Sequence, residues 1–286
     1  MIQFVGPQHE APLPGPATRV VDLAGRLLTP GLVECHTHLV FGGDRAGEYA
    51  ERAAGIPYRE IAQRGGGIAT TVRATRAASL ESLIEQAHPR LRRLLAQGVT
   101  TAEVKSGYGL DHATELRILE AVQALDAAQP IDLVGTYLGA HVVPPEHRDH
   151  RARYVREVIE HTLPAVAERG LARFCDVFVE DTAFSLEEAE AILAAGVAHG
   201  LRPKVHADQL DEGGGAELAA RLGAVSADHL EHISDAGIAA LAQAGTVAVL
   251  LPGAALFLGQ DARAPARRLI EAGVPVALST DCNPGT

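Results

Sequence analysis

Positive charge is short in this chain: 25 Lys and Arg stand against 36 Asp and Glu, a formal net charge of −11 over 286 residues. Nucleic-acid recognition needs clustered Lys and Arg to neutralise phosphates, so no nucleic-acid partner is expected. An acidic surface still admits an anionic substrate if one local cation captures it. Long apolar runs are missing too. No segment approaches the roughly 20 apolar residues of a membrane helix, and Met1 is not followed by the basic stretch and apolar core of a secretory signal. No membrane partner is expected. Cysteine is scarce: Cys35, Cys175 and Cys282 are far apart and form no C-x-x-C pair. That suits a reducing compartment better than a disulfide framework, and the expected location is cytoplasmic.

What is present is an ordinary globular composition, 47% hydrophobic and 21% charged, in a length that fits one large α/β domain. Residues 1–18, with Pro7, Pro12, Pro14, Gly15 and Pro16, show no sustained period and read as loop. Short β-like pieces follow at Arg19–Asp22 and near Leu27. After Pro30-Gly31, short apolar runs alternate with helical patterns. The runs are Leu32-Val33, Thr100–Val104, Ile131–Leu138, Phe174–Val179, Pro203–His206, Ala224–His229, Thr246–Leu251 and Val274–Thr280. Runs such as Val247–Leu251, apolar at successive positions, suit parallel strands buried on both faces. Leu80, Leu83, Ile84, Ala87, Leu91, Leu94 and Leu95 form one helical stripe, and Ser185 with Glu188 has capping-box spacing. Eight strands alternating with helices predict a (β/α)8 barrel of the TIM type. A doubly wound sheet is the alternative, but it needs a glycine-rich dinucleotide turn after its first strand. A pair of histidines stands there instead. Gly65-Gly66-Gly67 lacks the G-K-[ST] of a phosphate loop and reads as a flexible segment.

The polar residues gather where strands end. His36-Thr37-His38 closes the first run, and at the two-residue period of a strand both imidazoles face one side. His141 ends the third run, His206 the fifth, His229 the sixth and Asp281 the eighth. In a barrel these ends open on one catalytic face, so five histidines and a carboxylate converge there, a metal-site composition. A lone strand-end histidine is usually plain surface or a satisfied core group. The combination is much harder to produce without a ligand. His88, His112, His147, His150, His161, His199 and His232 sit mostly on helices or loops and read as surface residues.

These positions resemble the amidohydrolase superfamily. Longer stretches resemble its imidazolonepropionase family: P-G-L-V-E-C-H-T-H-L-V-F-G-G (30–43), G-G-G-I-A-T-T-V (65–72), T-T-A-E-V-K-S-G-Y-G-L (100–110), G-A-H-V-V-P-P-E (139–146), H-A-D-Q-L (206–210), A-V-S-A-D-H-L (224–230) and D-C-N-P-G-T (281–286). The resemblance implies one zinc or iron ion held by His36, His38, His206 and Asp281. It implies substrate contacts from Arg45, Tyr58, Tyr108, His141, Gln209, Asn283, Gly285 and Thr286. His229 is implied to help Asp281 handle the proton of the attacking water. The implied reaction opens the lactam of 4-imidazolone-5-propanoate to give N-formimidoyl-L-glutamate, a step of histidine degradation, in a chain that forms a homodimer. Alternatives are another amidohydrolase, a deaminase or iminohydrolase of a small heterocycle, or an inactive truncated barrel.

The residue types agree with that chemistry. A lactam carbonyl is a poor electrophile, and a metal supplies both an acidified water and a Lewis acid. Asp281 is then the base, with His229 and His141 stabilising charge on the opening ring. Arg45 offers a planar fork matched to the propanoate; the bland alternative is a solvated charge paired with Asp44 or Glu48. Some relatives carry Glu where Gln209 stands, and Gln cannot act as a base. Cys35 and Cys282 adjoin the ligands, but alternation turns them away to pack. Glu103 and Lys105 read as a simple pair. Residues 1–29 read as an N-terminal remnant of the small β-sandwich of the superfamily and 30–286 as the barrel. Beyond Asp281 the expected eighth helix and most of the sandwich are missing, so the chain reads as a fragment.

Overall fold

Every apolar run of the sequence becomes a strand of one parallel sheet. The computed structural model describes residues 3–56, 60 and 64–285. Its strands are β1 (Leu32–Glu34), β2 (Val99–Lys105), β3 (Asp132–Ala140), β4 (Phe174–Phe178), β5 (Arg202–Ala207), β6 (Ser226–His229), β7 (Val247–Leu250) and β8 (Val276–Leu278). They lie side by side in chain order, each parallel to its sequence neighbour. This order belongs to a nearly closed (β/α)8 barrel and excludes the doubly wound sheet, whose strand order reverses midway.

Helices between the strands account for the continuous apolar runs. β5 buries five of its six residues and β6 all four, because one face meets the barrel interior and the other the covering helices. The stripe on α1 (Leu80–Ala96) buries Leu83, Ala87, Leu91 and Leu94 against β2 and α2 (His112–Ala128), while Leu95 at its edge stays partly exposed. α3 (Leu186–Ala198) opens with the expected capping box, Ser185 and Glu188 each holding the other's peptide N–H. Among the described residues no helix is long and apolar enough to cross a membrane.

By contacts the chain divides into two units, Met1–Pro30 and Gly31–Thr286. The described part of the first is irregular, with one 3-10 turn at Gln8–Glu10. The β-like pieces at Arg19–Asp22 and Leu27 form no strand. The expectation there was wrong for a simple reason: β-propensity makes a strand only when a partner takes up its backbone groups, and none among the described residues does.

The barrel's seam is made by side chains. Between β8 and β1 the backbone contributes one bridge, Thr37 to Cys282, with His38 N–H donating to Cys282 O at 2.8 Å. The buried Glu34 carboxylate spans the rest, accepting from the Ser279 hydroxyl and from Thr280 N–H (2.8 Å), while Ser279 Oγ accepts from His36 N–H at 2.9 Å. This seam holds His36 and His38 beside Asp281. Glu34→Ala removes two partly buried hydrogen bonds, together worth about 1–3 kcal/mol. We expect its thermal midpoint to fall by roughly 3–10 °C in a melt followed by circular dichroism, and Glu34→Gln to fall less. A Glu34→Ala protein that melts with the parent would contradict the seam's role.

Candidate metal centre

The strand ends bring the expected residues to one mouth. His36 and His38 follow β1, His206 lies near the end of β5, His229 is the last residue of β6, and Asp281 follows β8. All five are buried. The His36 ring lies 4.5 Å from that of His206, 5.4 Å from His229 and 5.5 Å from His38, centroid to centroid. Asp281 Oδ1 is 3.5 Å from His36 Nε2 and 3.6 Å from His38 Nε2. Two overlapping groups, His36–His38–Asp281 and His36–His206–His229, each offer one ligand atom per residue within 4.8 Å of one another.

The donors fit a cation. Nε2 of His36 and Nε2 of His206 are buried and have no hydrogen-bond partner among the described residues, which costs stability unless something else engages them. Burial, with the nearby Lys105 ammonium and neighbouring imidazoles adding to it, holds His36, His38 and His206 well below the ordinary histidine range. Neutral imidazole is the form that ligates metal. Burial also raises the Asp281 carboxyl to about 7 and lowers His229 to about 4. His229 (φ 83°), Leu230 (φ 70°) and Asp281 (φ 52°) adopt left-handed backbone that non-glycine residues rarely occupy. Such strain concentrates at functional sites.

A cavity of about 570 Å³ opens above this cluster. Arg45, Tyr108, His141, Gln209, Asn283 and Gly285 all line it, with His38, His206, His229 and Asp281 at its base. Tyr58 and Thr286, the other expected contacts, lie outside the described residues. Arg45 is not paired with its acidic neighbours. Asp44 accepts from Ala46 N–H, Glu48 accepts from Gly67 N–H and the Thr70 hydroxyl, and Arg45 Nε is buried without a hydrogen-bond partner among the described residues. Gly285 packs so close to this guanidinium that a Cβ there would collide with it. The Asn283 amide is used by the backbone, donating to Asp281 O at 2.8 Å and accepting from Gly285 N–H at 2.7 Å, so it shapes the segment after Asp281.

His141 is fixed from behind. Its Nδ1 lies 3.0 Å from Gly107 O, to which it donates, and burial pushes its pKa down to about 4. Gly107 belongs to the loop carrying Tyr108, and the buried Glu115 carboxylate gathers that loop. It accepts from Gly107 N–H (2.9 Å), Gly109 N–H (2.7 Å) and Leu110 N–H (2.8 Å). Gly67 N–H lies on Glu48, so the Gly65–Gly67 segment is tied at that end. Cys35 and Cys282 pack with separate apolar clusters.

The sequence reading missed the groups beneath. Asp228 Oδ2 is 2.6 Å from His36 Nδ1, and Asp176 Oδ2 is 3.0 Å from His206 Nδ1. Lys105 does pair with Glu103 (2.8 Å), but it is fully buried and also meets Asp176 at 2.7 Å. The available signal was alternation: Glu34-x-His36-x-His38, Glu103-x-Lys105, Lys204-x-His206 and Ser226-x-Asp228 put polar groups on one face of strands otherwise apolar.

Known proteins resemble this chain throughout. The imidazolonepropionase of Myxococcus xanthus (strain DK1622) is 58% identical over 289 residues, covering 100% of this chain and 68% of its own length. That of Bradyrhizobium sp. (strain BTAi1 / ATCC BAA-1182) is 52% identical over 285 residues, covering 100% of this chain and 70% of its own. The chain belongs to the imidazolonepropionase family. No protein-family model matches it. Among solved structures, 5-methylcytosine deaminase from Klebsiella pneumoniae liganded with 5-fluorocytosine superposes with a TM-score of 0.67 at 18% identity, over 94% of this chain and 68% of that one. An amidohydrolase superposes with a TM-score of 0.62, also at 18% identity, over 95% of this chain and 70% of that one. At that identity the likeness is one of fold. Membership of the imidazolonepropionase family makes the strand-end cluster the first place to look for chemistry.

The histidine environments are testable by nitrogen NMR on metal-free protein. Unperturbed histidine titrates near 6.5. His141 and His229, lowered to about 4, are expected to stay neutral from pH 8 down to about 5, with His141 protonated on Nδ1. A midpoint near 6.5 for either ring would contradict this picture.

Proposed function

We propose that this chain binds one zinc or iron ion through His36, His38, His206 and Asp281 and hydrolyses the lactam C–N bond of 4-imidazolone-5-propanoate. The product is N-formimidoyl-L-glutamate, and the reaction is a step of histidine degradation. The observation that carries the reading is the pair of buried imidazole nitrogens, Nε2 of His36 and of His206, with no hydrogen-bond partner among the described residues, at the mouth of a barrel of this family. Three imidazoles and a carboxylate suit either metal. When bound, the ion supplies a Lewis acid and an acidified water.

The chain's own residues supply the remaining steps. Asp281, buried beside Nε2 of His36 and His38, takes the proton of the attacking water and delivers it to the ring nitrogen as the C–N bond breaks. His229 shares in that proton transfer and hydrogen-bonds the carbonyl oxygen as charge builds on it. His141, whose Nδ1 proton is committed to Gly107 O, has Nε2 left to accept from a ring N–H. Gln209 hydrogen-bonds the ring and cannot act as a base. Arg45 binds the propanoate through its guanidinium fork, whose Nε is buried without a hydrogen-bond partner among the described residues. Tyr108 packs beside His38 and His141 at ring distances of 5.5 and 5.3 Å and limits the width of the slot. Asn283 and Gly285 shape the wall, and Tyr58 and Thr286 complete the contacts on resemblance alone.

Turnover of freshly made imidazolone propanoate, followed by ultraviolet absorbance with mass analysis of the product, tests the activity. Loss of the chromophore with formation of N-formimidoylglutamate is expected. Ammonia release with the ring intact would replace the reading with a deaminase. Two variants separate ligand from proton-handling residue. His206→Ala is expected to lose both metal and turnover. His229→Asn is expected to keep about one equivalent of metal and lose about 10²–10⁴ in kcat. The reverse pattern would move His229 into the ligand set.

A further inference from the structure

The inside of the barrel below the histidines is charged. Glu103 and Lys105 on β2, Asp176 on β4, Lys204 on β5 and Asp228 on β6 all point inward and are buried. Barrels of this type usually fill that volume with layers of branched apolar side chains. A buried ionic group is weak as a source of stability, since apolar residues of equal volume often serve as well or better. The arrangement of these five charges points to another use.

The connections run toward the site. Lys105 Nζ lies 2.7 Å from Asp176 Oδ2, 2.8 Å from Glu103 Oε1 and 3.5 Å from Asp228 Oδ2. Lys204 Nζ lies 3.2 Å from Glu103 Oε1 and 3.5 Å from Asp228 Oδ2, and donates to Cys35 O at 3.1 Å. The aspartate oxygens that face Lys105 are the same atoms that face the imidazoles: Asp228 Oδ2 at 2.6 Å from His36 Nδ1 and Asp176 Oδ2 at 3.0 Å from His206 Nδ1. The other Asp228 oxygen accepts from the Ser226 hydroxyl at 2.5 Å. One ammonium therefore stands behind two carboxylates: Asp228 is hydrogen-bonded to His36 Nδ1, and Asp176 lies at ion-pair distance from His206 Nδ1 without a hydrogen bond, while Nε2 of each histidine has no hydrogen-bond partner among the described residues.

We propose that Lys105 is a positioning residue of the metal centre: it anchors Asp176 and Asp228 where they face Nδ1 of His206 and His36, and so directs both Nε2 atoms at one point. Lys204 braces the same frame through Glu103 and Asp228. A carboxylate on the far nitrogen of a ligating histidine fixes its tautomer and orientation. Here Asp228 is hydrogen-bonded to His36 in that way, Asp176 flanks His206 at ion-pair distance, and the two carboxylates share a single cation, so the surroundings of the two histidines are set together. The inference rests on the proposed ligand set, because it needs His36 and His206 to bind the ion.

The test is zinc affinity, measured on the folded 286-residue chain by competition with a chromophoric chelator, with the visible spectrum of the cobalt-substituted protein as a second readout. Asp228→Asn and Lys105→Met are each expected to bind zinc about 10–100-fold more weakly and to shift the cobalt bands, with far-ultraviolet circular dichroism unchanged. Because Lys105 acts through the aspartates, the double variant is expected to lose less than the product of the two single losses. If Lys105→Met does not fold, Asp176→Asn takes its place and is expected to weaken zinc by a similar factor. His36→Ala separates the two levels of the account. If His36→Ala weakens zinc while the aspartate and lysine variants keep the parent affinity and lose only thermal stability, the positioning role is overturned and the ligand set stands. Unchanged affinity in His36→Ala overturns the ligand set and the positioning role with it.

Discussion

Four buried imidazoles can share a volume a few ångströms across only if they are uncharged. The His36 ring has His206, His229 and His38 within 5.5 Å, centroid to centroid, and four imidazoliums packed that closely would repel strongly in a poorly solvated interior. Burial removes those charges, and in doing so it leaves lone pairs aimed inward. A cluster that is hard to explain as packing becomes simple as a set of ligands. The rest of the mouth follows from that requirement: the seam that brings Asp281 to β1, the charged frame beneath, and the cavity above.

Buried carboxylates recur as the means by which the loops are shaped. Glu34 gathers Ser279 and Thr280, Glu115 gathers Gly107, Gly109 and Leu110, Glu180 accepts from Gln209 and Leu210 N–H, and Asp208 accepts from Gly213, Gly215 and Ala216 N–H. Short loops at strand ends cannot satisfy their own amides, and a carboxylate takes several at once. Each of these loops adjoins a cavity-lining residue or a proposed ligand, so rigidity in the loop becomes precision in the site.

Much of this was legible from the residues. The apolar runs were long and regular enough to mark all eight strands, since two-sided burial leaves a continuous signature. The H-x-H pair and the strand-end His206, His229 and Asp281 could be placed on one face because barrel topology dictates where strand ends go. The β-like pieces before Pro30 misled, because propensity does not reveal whether a partner strand exists. The frame of Lys105, Lys204, Asp176 and Asp228 was also overlooked. A charged residue inside a strand reads as a solvent-facing position unless the other charges that neutralise it are known, and those come from strands as much as 123 residues apart in the case of Lys105 and Asp228. Arg45 was ambiguous for a related reason: only the structure shows that Asp44 and Glu48 are engaged elsewhere.

The central claim is that histidine nitrogens and one carboxylate, with no cysteine sulfur, hold a single ion at the barrel mouth. X-ray absorption at the metal edge, on protein loaded with one equivalent of zinc, tests it most directly because Cys35 and Cys282 lie next to the proposed ligands in sequence. The account predicts a first shell of nitrogen and oxygen at about 2.0–2.2 Å, with the outer-shell scattering of about three imidazoles. A sulfur shell near 2.3 Å, or a signal with fewer than two imidazoles, would contradict it.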